Sequence, residues 1–216
     1  MKVYLDVGHG GKDSGAVGIG GRLEKDDCQR LTDLVVDLLE KSGITTIVNT
    51  NPDETLQQVA TQANNEKADI FISIHRNAFD DPNANGLEVF TFTNPRETTK
   101  NNAQIMYNKL MAVTSEMRGR GLKEANYYVL KYTAMPAMLL EVGFVTNQHD
   151  NDLFDKYIFD YATAIAQAIC QIGNVPFLDK PTQIYTVQIG KYTDKARAEQ
   201  ILAEVKNKGF MEACIV

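Results

Sequence analysis

Two short runs constrain the fold more than anything else in the chain. Ala68-Asp69-Ile70-Phe71-Ile72-Ser73-Ile74 and Pro136-Ala137-Met138-Leu139-Leu140-Glu141-Val142 are apolar almost throughout. A strand with one wet face alternates apolar and polar residues. A strand without that alternation must be covered on both faces, as in parallel sheets flanked by helices. Lys2–Val7 and Ile44–Asn49 also read as strands, and Gly86–Thr93 and Tyr127–Leu130 as two more. Helical spacing fills the gaps between them, over about Asp26–Ser42, Glu54–Lys67, Thr98–Met117 and Asn151–Ile172. In the first of these, Leu31, Leu34, Val35, Leu38 and Leu39 share one face. The alternation predicts an α/β fold: an open, mostly parallel twisted sheet with helices on both faces.

A stretch with glycine, asparagine and two prolines but no periodicity follows the last of these helices. It predicts a catalytic-sized domain over 1–174, a linker over 175–183 and a small unit over 184–216. That unit reads strand, helix, strand, a single βαβ. Units below about 40 residues seldom fold alone, and its open sheet edge invites pairing. It is expected to pack on the larger domain or to pair with the same unit of a second chain, giving a homodimer.

The net charge of −6 argues against a nucleic-acid partner, which needs a basic face. Residues 182–216 carry +1 and the remainder −7. The three cysteines are far apart and form neither a disulfide framework nor a CxxC metal motif. No apolar run reaches the roughly 18 residues of a membrane span. Met1–Val7 lacks the apolar stretch of a signal peptide, so synthesis in the cytoplasm without an export signal is expected.

In open α/β sheets ligands bind at the carboxyl ends of the strands. Two of the three histidines sit there: His9 just after the first strand and His75 directly after Ile74. Glu141 lies near the end of another strand. Imidazoles are metal ligands by type, and a neighbouring carboxylate serves as a third ligand or as a base. A buried salt bridge is the other reading of Glu141, because a core carboxylate needs a partner. Glu24, just before the first long helix, has two readings as well. It is a ligand folded back over the first strand, or an acid favoured by the helix dipole. The glycines of Gly8-His9-Gly10-Gly11-Lys12-Asp13-Ser14-Gly15 do not match the phosphate-cradling GxxxxGK[ST] pattern. They are expected to let backbone approach a ligand.

Four blocks carry a resemblance. They are Leu5-Asp6-Val7-Gly8-His9-Gly10-Gly11-Lys12-Asp13-Ser14-Gly15-Ala16, Glu24-Lys25-Asp26, Ile72-Ser73-Ile74-His75-Arg76-Asn77-Ala78, and Met135 to Asn147. In that order they resemble the zinc-dependent N-acetylmuramoyl-L-alanine amidases of the amidase-3 family, which includes endolysins. The resemblance implies Zn²⁺ held by His9, Glu24 and His75, with Glu141 as the catalytic carboxylate. The substrate it implies is bacterial peptidoglycan, cut between N-acetylmuramic acid and L-alanine. Arg76 stands where the family commonly has a small residue, so Arg76 and Asn77 are expected to touch substrate. His149 lies outside the blocks and is expected to be structural. Tyr185-Thr186-Val187-Gln188-Ile189-Gly190-Lys191-Tyr192 and the helix after it resemble half of a SPOR-type repeat. That implies glycan binding, with Tyr185 and Tyr192 as stacking residues. A zinc peptidase cutting within the stem peptide and an inert wall-binding module are the competing readings. Action at the wall would follow release by phage lysis or mother-cell lysis.

Overall fold

The computed structural model describes residues 1–49, 53–178 and 194–207. The chain divides into two units, Met1–Lys180 and Pro181–Val216. The first contains β1 (Lys2–Val7), α1 (Glu24–Lys41), β2 (Thr45–Val48), α2 (Leu56–Asn65), β3 (Ile70–Asn77), β4 (Leu87–Thr91), α3 (Glu97–Met111), β5 (Gly119–Glu124), α4 (Tyr128–Tyr132), β6 (Ala137–Phe144) and α5 (Gln148–Ile172). In the second, helix α6 spans Lys195–Asn207. The expected strands at 184–190 and 212–216, with Tyr185 and Tyr192, lie outside the described residues.

The sheet has six strands in the order β2-β1-β3-β6-β4-β5. β1 is parallel to β2 and β3, and β3 to β6. β4 runs antiparallel to β6 and parallel to β5. The two apolar runs became the central strands β3 and β6. Their side chains alternate between two cores. Ile70, Ile72, Ile74, Met138, Leu140 and Val142 pack with α1, α3 and α5. Phe71 and Leu139 pack with Val59 of α2 and Val129 of α4. Helices on both faces, as expected, remove the need for a polar stripe.

Two elements differ from expectation. The helix begun near Thr98 stops at Met111, and Gly119-Arg120-Gly121-Leu122-Lys123-Glu124 forms strand β5. This edge strand is held by backbone pairing to β4 and shows no apolar alternation. Tyr127–Leu130, rich in strand formers, instead enters helix α4, which buries Val129 and Leu130. Strand propensity yields to packing.

The carboxyl ends of β6 and α5's first turn are tied by one side chain. Asp150 is buried, and its Oδ2 accepts from the N–H groups of Phe144 and Gly86, both at 2.8 Å. Asp150→Ala leaves two buried donors without this acceptor. The expected loss is about 2 kcal/mol or more, which thermal unfolding would show as a Tm lower by roughly 4–8 °C for a domain of this size. An unchanged Tm would contradict this role for Asp150.

Candidate metal centre

The site is assembled at one end of the sheet from the loop after β1, the start of α1 and the end of β3. After β1, Gly8 donates its N–H to Ile74 O at 3.0 Å, locking the loop to β3. His9 then takes a left-handed backbone conformation, φ 66°. The loop folds back so that Glu24 N–H donates to Ala16 O at 3.0 Å. Glu24 therefore opens α1 beside His9. It is both the first-turn acid of a helix and a member of the site. His75 comes from β3, next in the sheet to β1.

Glu24 lies between the two imidazoles. Its Oε2 is 3.2 Å from His9 Nε2, and its Oε1 is 2.9 Å from His75 Nδ1. Oε2 also accepts from Ala16 N–H at 3.0 Å and Oε1 from Arg76 N–H at 3.2 Å. Asp13 Oδ2 sits 2.8 Å from His9 Nδ1, which turns Nε2 inward. Carboxylates behind a ligating imidazole commonly fix its orientation this way. The hydrogen bond to Glu24 is the main cause that pushes His9 up to about 9. Burial opposes ionisation of Glu24, but His75 and His9 outweigh it and hold its carboxyl well below the usual range.

The donors of His9, Glu24 and His75 lie within 4.8 Å of one another. Two glycines keep that space clear. A Cβ on Gly15 would stand 2.6 Å from His9 Cδ2 and 2.8 Å from Glu24 Oε2. One on Gly8 would stand 2.6 Å from His75 Nδ1. Two imidazoles and one carboxylate, converging where no side chain intrudes, fit a divalent metal of the zinc type.

Glu141 stands directly beside His75, its register partner across β3 and β6. Among the described residues its Oε2 is enclosed and has no hydrogen-bond partner. Burial, reinforced by the charges of Glu24 and Glu88 and opposed by His75 and His9, pushes Glu141 up to about 8. No salt bridge holds it among the described residues, so the structure does not support the salt-bridge reading. Next across the sheet, Glu88 of β4 is the register partner of Glu141. Glu88 and Asp13 were not singled out from sequence. Asp13 is a polar loop residue among several. Glu88 is a single acid in Leu87-Glu88-Val89, where the only available signal was an acid between two buried apolar neighbours.

Arg76 does not enter the site. It is in phase with Ile70, Ile72 and Ile74, so its side chain points to the α1 and α5 face, where it is 1% exposed. Its Nη1 donates to Asp27 Oδ2 at 2.6 Å and its Nη2 to Asn151 Oδ1 at 2.8 Å. Its guanidinium lies 4.1 Å from the ring centre of Phe154. The expectation that Arg76 touches substrate is corrected: it is a buried clamp, and the two-residue period of the strand explains why. Asn77, in phase with His75, donates to Glu88 Oε1 at 2.6 Å. His149 is exposed in the first turn of α5, with Nε2 3.4 Å from Glu116 O.

Comparison with known proteins places this geometry in a family. A family model described as N-acetylmuramoyl-L-alanine amidase matches residues 3–171. The chain is 33% identical over 215 residues to N-acetylmuramoyl-L-alanine amidase CwlM of Bacillus licheniformis, covering 97% of this chain and 83% of that one. It is 29% identical over 216 residues to the sporulation-specific N-acetylmuramoyl-L-alanine amidase of Bacillus subtilis, covering 97% and 82%. Among solved structures, N-acetylmuramoyl-L-alanine amidase AmiC2 of Nostoc punctiforme superposes with a TM-score of 0.75 at 34% identity, covering 81% of this chain and 97% of that one.

Arg76→Ala tests the buried clamp. Asp27 keeps Arg22, whose Nε donates to it at 2.6 Å, so the loss falls at the low end for a broken buried pair. About 3 kcal/mol is expected, and a Tm lower by roughly 6–12 °C. A Tm within about 2 °C of the parent would show that the pair contributes little.

Proposed function

The chain belongs to the N-acetylmuramoyl-L-alanine amidase family, and we propose that His9, Glu24 and His75 hold zinc for its reaction. It is a peptidoglycan hydrolase, and the bond it cuts is the amide between N-acetylmuramic acid and L-alanine. The observation that carries the zinc reading is the convergence of the three donors beside a carboxylate oxygen that has no hydrogen-bond partner among the described residues.

His9, Glu24 and His75 would hold the metal through two imidazole nitrogens and a carboxylate oxygen. When bound, zinc supplies Lewis acidity, acidifying water and polarising the scissile carbonyl. The protein's own groups do the rest. Asp13 and the Ala16 and Arg76 N–H groups hold His9 and Glu24 in place. Glu141, beside His75 by strand register, takes a proton from the attacking water and returns it to the leaving amine of L-alanine. Asn77 serves the substrate side of the site through its grip on Glu88.

The unit at 184–216 we assign to attachment on peptidoglycan glycan or to pairing of two chains, with Tyr185 and Tyr192 on the glycan. Support comes from relatives that align over 97% of the chain, and so include it. The site of action in this reading is the cell wall. No described helix is long and apolar enough to cross a membrane.

Mass analysis of the products from purified peptidoglycan tests the reaction. New L-alanine amines are expected, lost with a chelator and restored by zinc. Amines freed further along the stem would make the protein an endopeptidase. Glu141→Gln should keep stoichiometric zinc and lose turnover by about 100-fold or more, the usual weight of a general base. His75→Ala should lose both. Full turnover in the Glu141 variant would overturn its role.

A further inference from the structure

A second polar cluster continues the row across the sheet. His75, Glu141 and Glu88 are successive register partners on β3, β6 and β4, and Glu88 pairs in turn with Gly121 of β5. Glu88 is 2% exposed. Its Oε1 accepts from Asn77, and its Oε2 accepts from Arg120 Nε at 2.7 Å and pairs with Lys123 Nζ.

Two cations on one carboxylate need explaining, because one suffices to neutralise it. Strand alternation would send Arg120 and Lys123 to opposite faces. The register of β4 against β5 slips between Leu87 and Glu88, and Gly121 takes φ 85°. A bulge of this kind re-aims side chains, and here both cations reach the same carboxylate. Arg120 also lies 4.9 Å from the ring centre of Phe144, at the end of β6. The side chains remain 27% and 36% exposed. Among the described residues Nη2 of Arg120 has no hydrogen-bond partner. The cluster of Glu88, Arg120 and Lys123 therefore presents one net positive charge to solvent, on a chain whose net charge is −6.

We propose that Arg120 and Lys123, anchored on Glu88, form a subsite for a carboxylate of the stem peptide. This rests on the amidase reading and names what the site selects. A peptide carboxylate near Glu141 and Glu24 meets like charge, which a nearby cation offsets. The cationic heads gather at Glu88, one strand from Glu141, a lateral step of about 5 Å. An extended peptide advances about 3.3 Å per residue, so the step spans one to two residues beyond the scissile amide, and the carboxylate is placed on the second. In peptidoglycan that residue is a glutamate joined through its side chain. Its α-carboxylate is either free or capped as an amide.

The test uses two muropeptides that differ only in that group, free acid or primary amide. Turnover and equilibrium binding are measured for each on the zinc-loaded full chain. The wild type should favour the free acid by about tenfold, the scale of one charge-assisted hydrogen bond. The preference should shrink as salt rises, since the cations are partly exposed. Arg120→Gln, in which Lys123 still pairs Glu88, should bring the ratio close to one. Equal kcat/KM and equal Kd for the two muropeptides in the wild type would overturn the subsite and leave the amidase reading intact. A preference that survives in Arg120→Gln would also overturn it. Binding preference without any L-alanine amine released would uphold the subsite and overturn the amidase reading.

Discussion

Burying a carboxylate costs several kcal/mol unless donors meet it, and the carboxyl end of this sheet is organised around that cost. Buried acids there join separate elements. Glu24 ties α1 to the first loop and to β3. Asp27 ties α1 to β3 through Arg76. Glu88 ties β4 to β3 and β5. Asp150 ties α5 to the end of β6 and the start of β4. These links tie the strand ends together. Among the described residues an oxygen of Glu141, like one of Glu54, is enclosed without a hydrogen-bond partner, and Glu141 is the one beside His75 by strand register. A polar atom enclosed and unmatched inside a well-satisfied network is where chemistry is to be sought.

The central strands and the two histidines at strand ends were legible because they follow from burial. Strands covered on both faces read as apolar runs, so β3 and β6 stood out, and the polar residues at their ends stood out against them. Parity along β3 was equally legible and separates His75 and Asn77 from Arg76. Applied to Arg76, it places the side chain on the helix-covered face, where Asp27 and Asn151 receive it. What the sequence hid is what depends on distant partners. β5 is a strand only because β4 lies beside it. Glu88 has meaning only once the antiparallel pairing of β4 and β6 sets it next to Glu141. The placement of Glu24 against both imidazoles, rather than only at the start of a helix, likewise needed the loop's return path.

The negative overall charge acquires a definite consequence here. General attraction to an anionic wall is not available, so recognition must be local. The exposed cations beside Glu88 supply one such contact at the reaction centre. The near-neutral segment at 184–216 is the second candidate.

X-ray absorption at the zinc edge of the loaded full-length protein tests the central claim most directly. The account expects one zinc per chain, with two imidazoles and otherwise oxygen in its shell, unchanged in Glu141→Gln. A shell with sulfur, a single imidazole, or a shell altered by Glu141→Gln would contradict it, as would failure to bind zinc stoichiometrically.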